Sequence, residues 1–180
     1  ELIKKDILNA YHDRSDGGLI ITLIEMAFAS NMSIILDKFE CSDYIKFLFN
    51  EELGGVFAIS KKNQNNFLKI IKKYKLDSNI YHLGRLKIED NPELILKQLN
   101  YRETLCSLRK NWSELSYLIQ SERDNKKTAY SEYKSKIETH KNLSKQIIPK
   151  LTFPLRNISN RFLKIKNKPK IAIFREQGVN

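Results

Sequence analysis

Hydrophobic residues recur along the chain with the two spacings that helices and strands produce. Residues 19–30, LIITLIEMAFAS, are almost wholly apolar and predict a helix buried on most faces. Helical spacing predicts further helices over 1–11 and 63–74, and from 101 to about 120 with a weaker continuation through Tyr130 and Tyr133. A capping residue at 42 or 43 and a proline in the first turn at 92 predict helices over 42–49 and 91–99. Short apolar runs predict strands over 33–37, 56–59, 80–88 and 170–174. Helices alternating with short strands favour an α+β or α/β fold whose sheet is covered by helices.

The net excess of positive charge is confined to one stretch of the chain. The formal net charge is +11, and residues 126–170 contain 13 of the 32 Lys and Arg residues but two of the 21 Asp and Glu residues. This stretch is rich in Ser and Asn and contains three of the four prolines, a composition typical of a surface connector. A nucleic-acid-binding module centred on 126–170 is the alternative, although such a surface favours Arg and interleaved aromatic residues.

Composition and cysteine spacing exclude several classes of protein. No apolar run approaches the ~20 residues that span a bilayer, so we expect no membrane partner. Cys41 and Cys106 lack the spacing of a disulfide framework or a zinc site, and they fit packing thiols in the reducing cytoplasm. The chain begins with Glu1 rather than Met, and it stops soon after the last predicted strand. We therefore expect a piece of a longer protein.

The segment HDRSDGG, residues 12–18, combines carboxylates, a hydroxyl and two glycines directly before the apolar helix. Gly17 and Gly18 would let the backbone approach a ligand closely, and the helix N-terminus offers free N–H groups. A carboxylate beside a phosphate requires a cation between them. The pattern therefore suggests a Mg²⁺-bridged phosphate site, with Asp13 as the metal ligand and Ser15 hydrogen-bonded to a nucleotide.

A plain capped turn explains the same residues without a ligand. In that interpretation Asp16 caps the helix and the two glycines form the bend. His12 would either orient the Asp13 loop, contact a ligand or fill a structural role. The other candidates are expected to be structural: Glu51 and Glu52 solvated or capping at a helix end, His82 in a strand and Trp112 in the core.

Four segments stand out in order along the chain: HDRSDGGL followed by ITLIEMAFA at 12–29, FNEELGGVFAI at 49–59, WSELSYLIQSERDN at 112–125 and KIAIFREQGVN at 170–180. Together they resemble one family, phosphoribosylformylglycinamidine synthase of the large single-chain type. The first segment resembles a motif in the C-terminal half of that family, the second its NEELG-plus-strand segment, and the third its W…Q..RDN helix. The fourth resembles the opening of its glutamine amidotransferase domain.

The resemblance implies a fold and a domain organisation. Residues 1–99 would be the C-terminal part of the second synthetase-like half, an α+β domain with a mixed sheet covered by helices, of the aminoimidazole ribonucleotide synthetase type. Residues 100–138 would be a helical extension and 139–169 a basic, irregular connector. Residues 170–180 would hold the first strand of an α/β glutaminase domain.

The resemblance also implies a function. The family is a ligase of de novo purine biosynthesis that converts formylglycinamide ribonucleotide, glutamine and ATP to formylglycinamidine ribonucleotide, glutamate, ADP and phosphate. Asp13 then corresponds to a Mg²⁺ ligand and Ser15 to a nucleotide contact, with Gly17 and Gly18 beside the phosphates, in an auxiliary site that holds ADP. The implied partners are the nucleotide and the remainder of the parent enzyme, not nucleic acid. The glutaminase Cys nucleophile lies downstream of residue 180 in the family, so we expect no catalytic residue here and no activity from this segment alone.

Overall fold

The computed structural model describes residues 1–37, 41, 43–138, 150–152, 170 and 172. The chain divides into two compact units, Glu1–Lys145 and Gln146–Asn180. Most of the strand predicted at 170–174 and most of the 139–169 connector lie outside the described residues. The strands are β1 (Leu8–Asp13), β2 (Ser33–Leu36), β3 (Gly55–Ile59), β4 (Gly84–Lys87), β5 (Glu93–Leu96) and β6 (Tyr101–Thr104). The helices are α1 (Gly18–Ser30), α2 (Tyr44–Phe49), α3 (Gln64–Lys73), α4 (Leu105–Arg123) and α5 (Lys126–Ile137).

A mixed four-stranded sheet in the order β4-β2-β5-β6 forms the centre of the first unit. All four residues of β2, SIIL, are buried, as a strand with neighbours on both sides requires. It pairs antiparallel with β4 and parallel with β5, where Ile34 lies opposite Leu94. An antiparallel hairpin joins β5 to β6 and crosses the boundary predicted after residue 99. The α+β prediction with a mixed sheet is confirmed.

Helix α1 is apolar because it packs into the main core. The helix and the sheet share one cluster of buried side chains, joined by α2, β3 and the start of α4. Its buried members are Leu19, Ile20, Leu23, Ile24, Ala27, Ile34, Leu36, Tyr44, Leu48, Val56, Leu94, Leu96 and Leu105. The predicted burial of this helix on most faces is confirmed.

A second, two-stranded sheet brings together two of the segments that the sequence analysis singled out. β1 and β3 pair antiparallel, with Asp13 opposite Gly55 and Tyr11 opposite Phe57. Helix α3 packs beside this sheet through a smaller cluster with Ile7. The pairing places the HDRSDGG segment next to the NEELGG segment, residues 50–55.

Three sequence predictions are wrong at strand positions. The helix predicted over 1–11 is a turn followed by β1, because residues 8–13 pair with β3. The helix predicted over 91–99 is β5 and a short 3₁₀ turn, since Leu94 and Leu96 point inward with period two beside β2. The helix predicted from residue 101 begins at 105, after β6, and the Thr104 side chain caps it by accepting the Ser107 N–H at 3.2 Å.

Helix α4 leaves the core after its first turns. Arg109 is buried there and donates to the Phe28 carbonyl at 2.7 Å and to Asn31 Oδ1 at 3.1 Å, so it closes the C-terminal end of α1. Trp112 is 50% exposed and meets Phe28 edge-on, so its predicted place in the core is wrong. The large apolar side chains of α4 beyond Trp112 are also exposed: Leu115, Leu118 and Ile119.

The remaining structural predictions concern individual residues. Cys41 and Cys106 are both free and half-buried, and Cys41 packs against the main core. His82 is exposed and precedes β4 instead of lying within a strand. Across the ranges that the structure describes, no helix is long and apolar enough to cross a membrane.

Candidate functional site

The end of β1 presents the two predicted ligand residues to solvent. Exposure alternates along this extended stretch: Tyr11, Asp13 and Ser15 are exposed, whereas His12 and Arg14 are half-buried. The Arg14 N–H donates to the Gly54 carbonyl at 2.9 Å, which continues the β1–β3 pairing by one residue. The Asp13 carboxylate and the Ser15 hydroxyl are therefore open to a ligand and supported from the opposite side.

Gly17 and Gly18 form the bend into α1 under tight constraints. Both have positive φ, +82° and +76°, which L side chains rarely adopt. A Cβ on Gly18 would lie 2.6 Å from the backbone carbon of Phe49. The Gly17 N–H donates to Glu51 Oε1 at 2.8 Å, and the Gly18 N–H donates to the Ser15 carbonyl at 2.9 Å. Both amide hydrogens are thus bonded within the chain.

Glu51, and not Asp16, provides the carboxylate at the start of α1. Gly17 is the N-cap residue and makes no side-chain capping bond, so the proposed Asp16 cap is wrong. Glu51 reaches the N-cap amide from the neighbouring loop, as the glutamate of a capping box does from within a helix. Its negative charge at the helix N-terminus is also favourable.

The side chains of Thr22 and His12 contact the backbone of the HDRSDGG segment. Thr22 is fully buried, and its hydroxyl lies 3.3 Å from the Asp13 carbonyl oxygen and 3.1 Å from that of Gly18. His12 Nδ1 lies 2.6 Å from the Asp13 carbonyl oxygen, and Nε2 lies 3.1 Å from Glu25 Oε2. His12 therefore ties the Asp13 backbone to α1, the first of the roles considered for it.

Tyr11 contacts the Asp13 carboxylate directly, although no pattern in the sequence indicated that it would. Its hydroxyl donates to Asp13 Oδ1, and this hydrogen bond raises the pKa of the tyrosine. The helix prediction over 1–11 hid this pair, because residues two apart share a face in a strand but not in a helix. The structural role of Thr22 could have been inferred from its hydroxyl group, which lies within a mostly apolar stretch of the sequence.

The described residues contain no cluster of three or more His, Cys, Asp or Glu side chains that could hold a metal ion by themselves. Asp13 would then be a single protein ligand. That suits Mg²⁺, which keeps several waters and commonly uses one or two carboxylates together with substrate phosphates. The assignments of Asp13, Ser15, Gly17 and Gly18 stay predictions.

The sequence of this chain matches a known protein family. Residues 1–97 match the family model described as the AIR synthase related protein, C-terminal domain. The chain belongs to this family. The part that matches the AIR synthase related C-terminal domain contains both loops of the candidate site and β1 to β5.

A curated relative extends this match along the chain. The chain is 39% identical over 189 residues to the phosphoribosylformylglycinamidine synthase of Saccharomyces cerevisiae. The alignment covers 98% of the chain but 13% of the relative, so the chain spans a small part of that protein's length. The resemblance to this enzyme family is confirmed, whereas the assignment of residues 170–180 to the opening of a glutamine amidotransferase domain stays a prediction.

The basic stretch lies mostly outside the described residues. Its described beginning forms α5, where Lys126 pairs with Glu122 at 3.8 Å and Lys136 pairs with Glu132 at 2.6 Å. The nucleic-acid alternative for 126–170 stays a prediction.

Proposed function

We propose that this chain is a segment of a phosphoribosylformylglycinamidine synthase and supplies a Mg²⁺–nucleotide site to it. The parent enzyme would be the cytoplasmic, ATP-dependent ligase of de novo purine biosynthesis that amidates formylglycinamide ribonucleotide with nitrogen from glutamine. The observation that carries the proposal is the exposed pair of Asp13 and Ser15 at the end of β1. The backbone around this pair is held by the buried Thr22 hydroxyl and by the hydrogen bond from Arg14 to Gly54. The match to the yeast enzyme over 98% of the chain supports the choice of activity.

In this site Asp13 would hold Mg²⁺ and Ser15 would contact the nucleotide. The ion would link the Asp13 carboxylate to the phosphates, which carry the same sign of charge. Gly17 and Gly18 enter as the bend that brings the backbone close to the phosphates, since their N–H groups are already bonded. The site would be auxiliary and would hold ADP, so the segment would be inactive without the remainder of the enzyme.

Calorimetry with ADP on the intact parent protein tests the proposal. Asp13→Ala should weaken ADP binding at least about tenfold in the presence of Mg²⁺ and leave binding in EDTA unchanged. Ser15→Ala should weaken binding about fivefold under both conditions, as expected for the loss of one hydrogen bond. Asp16→Ala is the matched control, because it removes the same charge from the same exposed loop. Equal Mg²⁺-dependent affinities for Asp13→Ala, Asp16→Ala and wild type would overturn the metal assignment.

A further inference from the structure

A side chain on the same strand contacts the Asp13 carboxylate. Tyr11 and Asp13 are two residues apart on β1, so the strand places both on its exposed face. The Tyr11 hydroxyl donates a hydrogen bond to Asp13 Oδ1. This contact engages one carboxylate oxygen and leaves Oδ2 as the oxygen that the tyrosine does not bind.

The Tyr11 ring is itself fixed by the partner strand. It stacks on Phe57, directly opposite in the register, with ring centroids 5.7 Å apart and an interplanar angle of 23°. The ring also lies close to Gly55, where a Cβ would be 2.8 Å from the ring edge and 3.1 Å from the hydroxyl oxygen. Although Tyr11 is 54% exposed, its ring contacts β3 and its hydroxyl is directed at Asp13.

We propose that Tyr11 is a positioning residue for Asp13 and sets the affinity of the site for the divalent cation. The inference rests on the proposed function, because it takes Asp13 as the metal ligand. A carboxylate that ligates a metal is generally held by a hydrogen bond to its other oxygen, and loss of such a partner typically lowers metal affinity by about 10- to 100-fold. Without the hydroxyl, Asp13 would have to give up side-chain freedom each time the cation binds.

Titration with Mn²⁺ at saturating ADP, followed by the electron paramagnetic resonance signal of free Mn²⁺, measures this affinity directly. The intact parent protein would be compared in four forms: wild type, Tyr11→Phe, Asp13→Ala and the double variant. Tyr11→Phe keeps the stacked ring and removes only the hydroxyl. It should raise the Kd for Mn²⁺ about tenfold or more in the wild-type background and leave it unchanged when Asp13 is already alanine.

Tyr74→Phe is the matched control. Tyr74 is similarly exposed, at 53%, and its hydroxyl also donates to a carboxylate, that of Glu1, at 2.8 Å. This substitution removes the same kind of hydrogen bond elsewhere and should leave the Kd for Mn²⁺ as in wild type. The urea midpoints of both phenylalanine variants should stay close to that of wild type, since both rings remain in place.

The outcomes separate the two proposals. A wild-type Kd for Tyr11→Phe, together with weakened binding in Asp13→Ala, would overturn the positioning role and leave the proposed site standing. An equal effect of Tyr11→Phe with and without Asp13 would also overturn it, because the tyrosine would then act independently of that carboxylate. Wild-type Mn²⁺ affinity in Asp13→Ala would instead overturn the metal site itself.

Discussion

Replacing Gly18 with alanine should destabilise the domain strongly, and the structure gives two separate reasons. The first is the backbone. Gly18 has φ +76°, and a residue with a Cβ in the left-handed region costs about 1–2 kcal/mol. This cost arises within the residue, so neighbouring side chains cannot relieve it.

The second reason is space. The added Cβ would lie 2.6 Å from the backbone carbon of Phe49 and 2.9 Å from the carbonyl oxygens of Leu48 and Asn50. These are backbone atoms at the end of α2, so they cannot rotate away, and overpacking of this kind costs about 1–3 kcal/mol. The two contributions together give a loss of about 2–5 kcal/mol from a total stability that is typically about 5–15 kcal/mol.

Urea unfolding followed by circular dichroism measures the effect, with Gly54→Ala as the matched control. Gly54 has no positive φ, and the nearest atoms to its added Cβ belong to the Arg14 side chain at 3.6 Å, an ordinary contact. The control should stay within about 0.5 kcal/mol of wild type. If Gly18→Ala is also within about 0.5 kcal/mol of wild type, or if both variants lose the same stability, the reasoning from φ and close backbone contact is refuted.

Other residues give predictions for the same measurement. Leu105→Ala should cost about 2–5 kcal/mol because Leu105 is fully buried, whereas Leu115→Ala on the same helix should cost under about 0.5 kcal/mol because Leu115 is 68% exposed. Equal losses would contradict the boundary of the core along α4. Arg109→Met should cost about 1.5–3 kcal/mol, since it removes two charged hydrogen bonds at a buried position, and a neutral result would contradict the closing role of this residue. The hydrogen bond from Lys97 lowers the pKa of Asp37 from its ordinary 3.8, so its contribution, at most about 1 kcal/mol, should be present above that value and disappear as the pH falls through the folded pKa. The difference in urea midpoint between wild type and Asp37→Asn should follow this course, and a difference independent of pH would show that the ion pair is not its source.

The sequence predicted the elements whose apolar pattern has one interpretation. Helix α1 was located to within one residue because a run of twelve residues with few polar positions fits no exposed strand. Strand β2 was equally clear from its short continuous apolar run, Ile34 to Leu36. By contrast, residues 1–11 and 91–99 carry apolar residues whose spacing fits both periods. There, pairing with a distant strand decided the structure, and local preference does not contain that information.

The residues of the candidate site also fall into two groups, those that the sequence predicted and those that only the structure showed. Asp13, Ser15 and the two glycines were chosen from a contiguous motif. The groups that hold this motif come from elsewhere: Glu51 is 34 positions from Gly17, and Thr22 bonds back across seven to nine residues. A pattern along the sequence can indicate which side chains would face a ligand. The contacts that hold those side chains in place depend on the register of β1 against β3.

That register has a consequence for how the site comes into being. The chain must close a loop of 34 positions before Glu51 can reach Gly17, and the entropy of such a closure is on the order of 3 kcal/mol. Translation adds roughly 5–20 residues per second, so the HDRSDGG segment leaves the ribosome seconds before the strand that organises it. A peptide that contains the motif alone would lack the Gly54, Gly55 and Glu51 contacts. The proposed nucleotide site would thus be a product of tertiary folding, and its appearance during refolding would report the moment at which β1 and β3 pair.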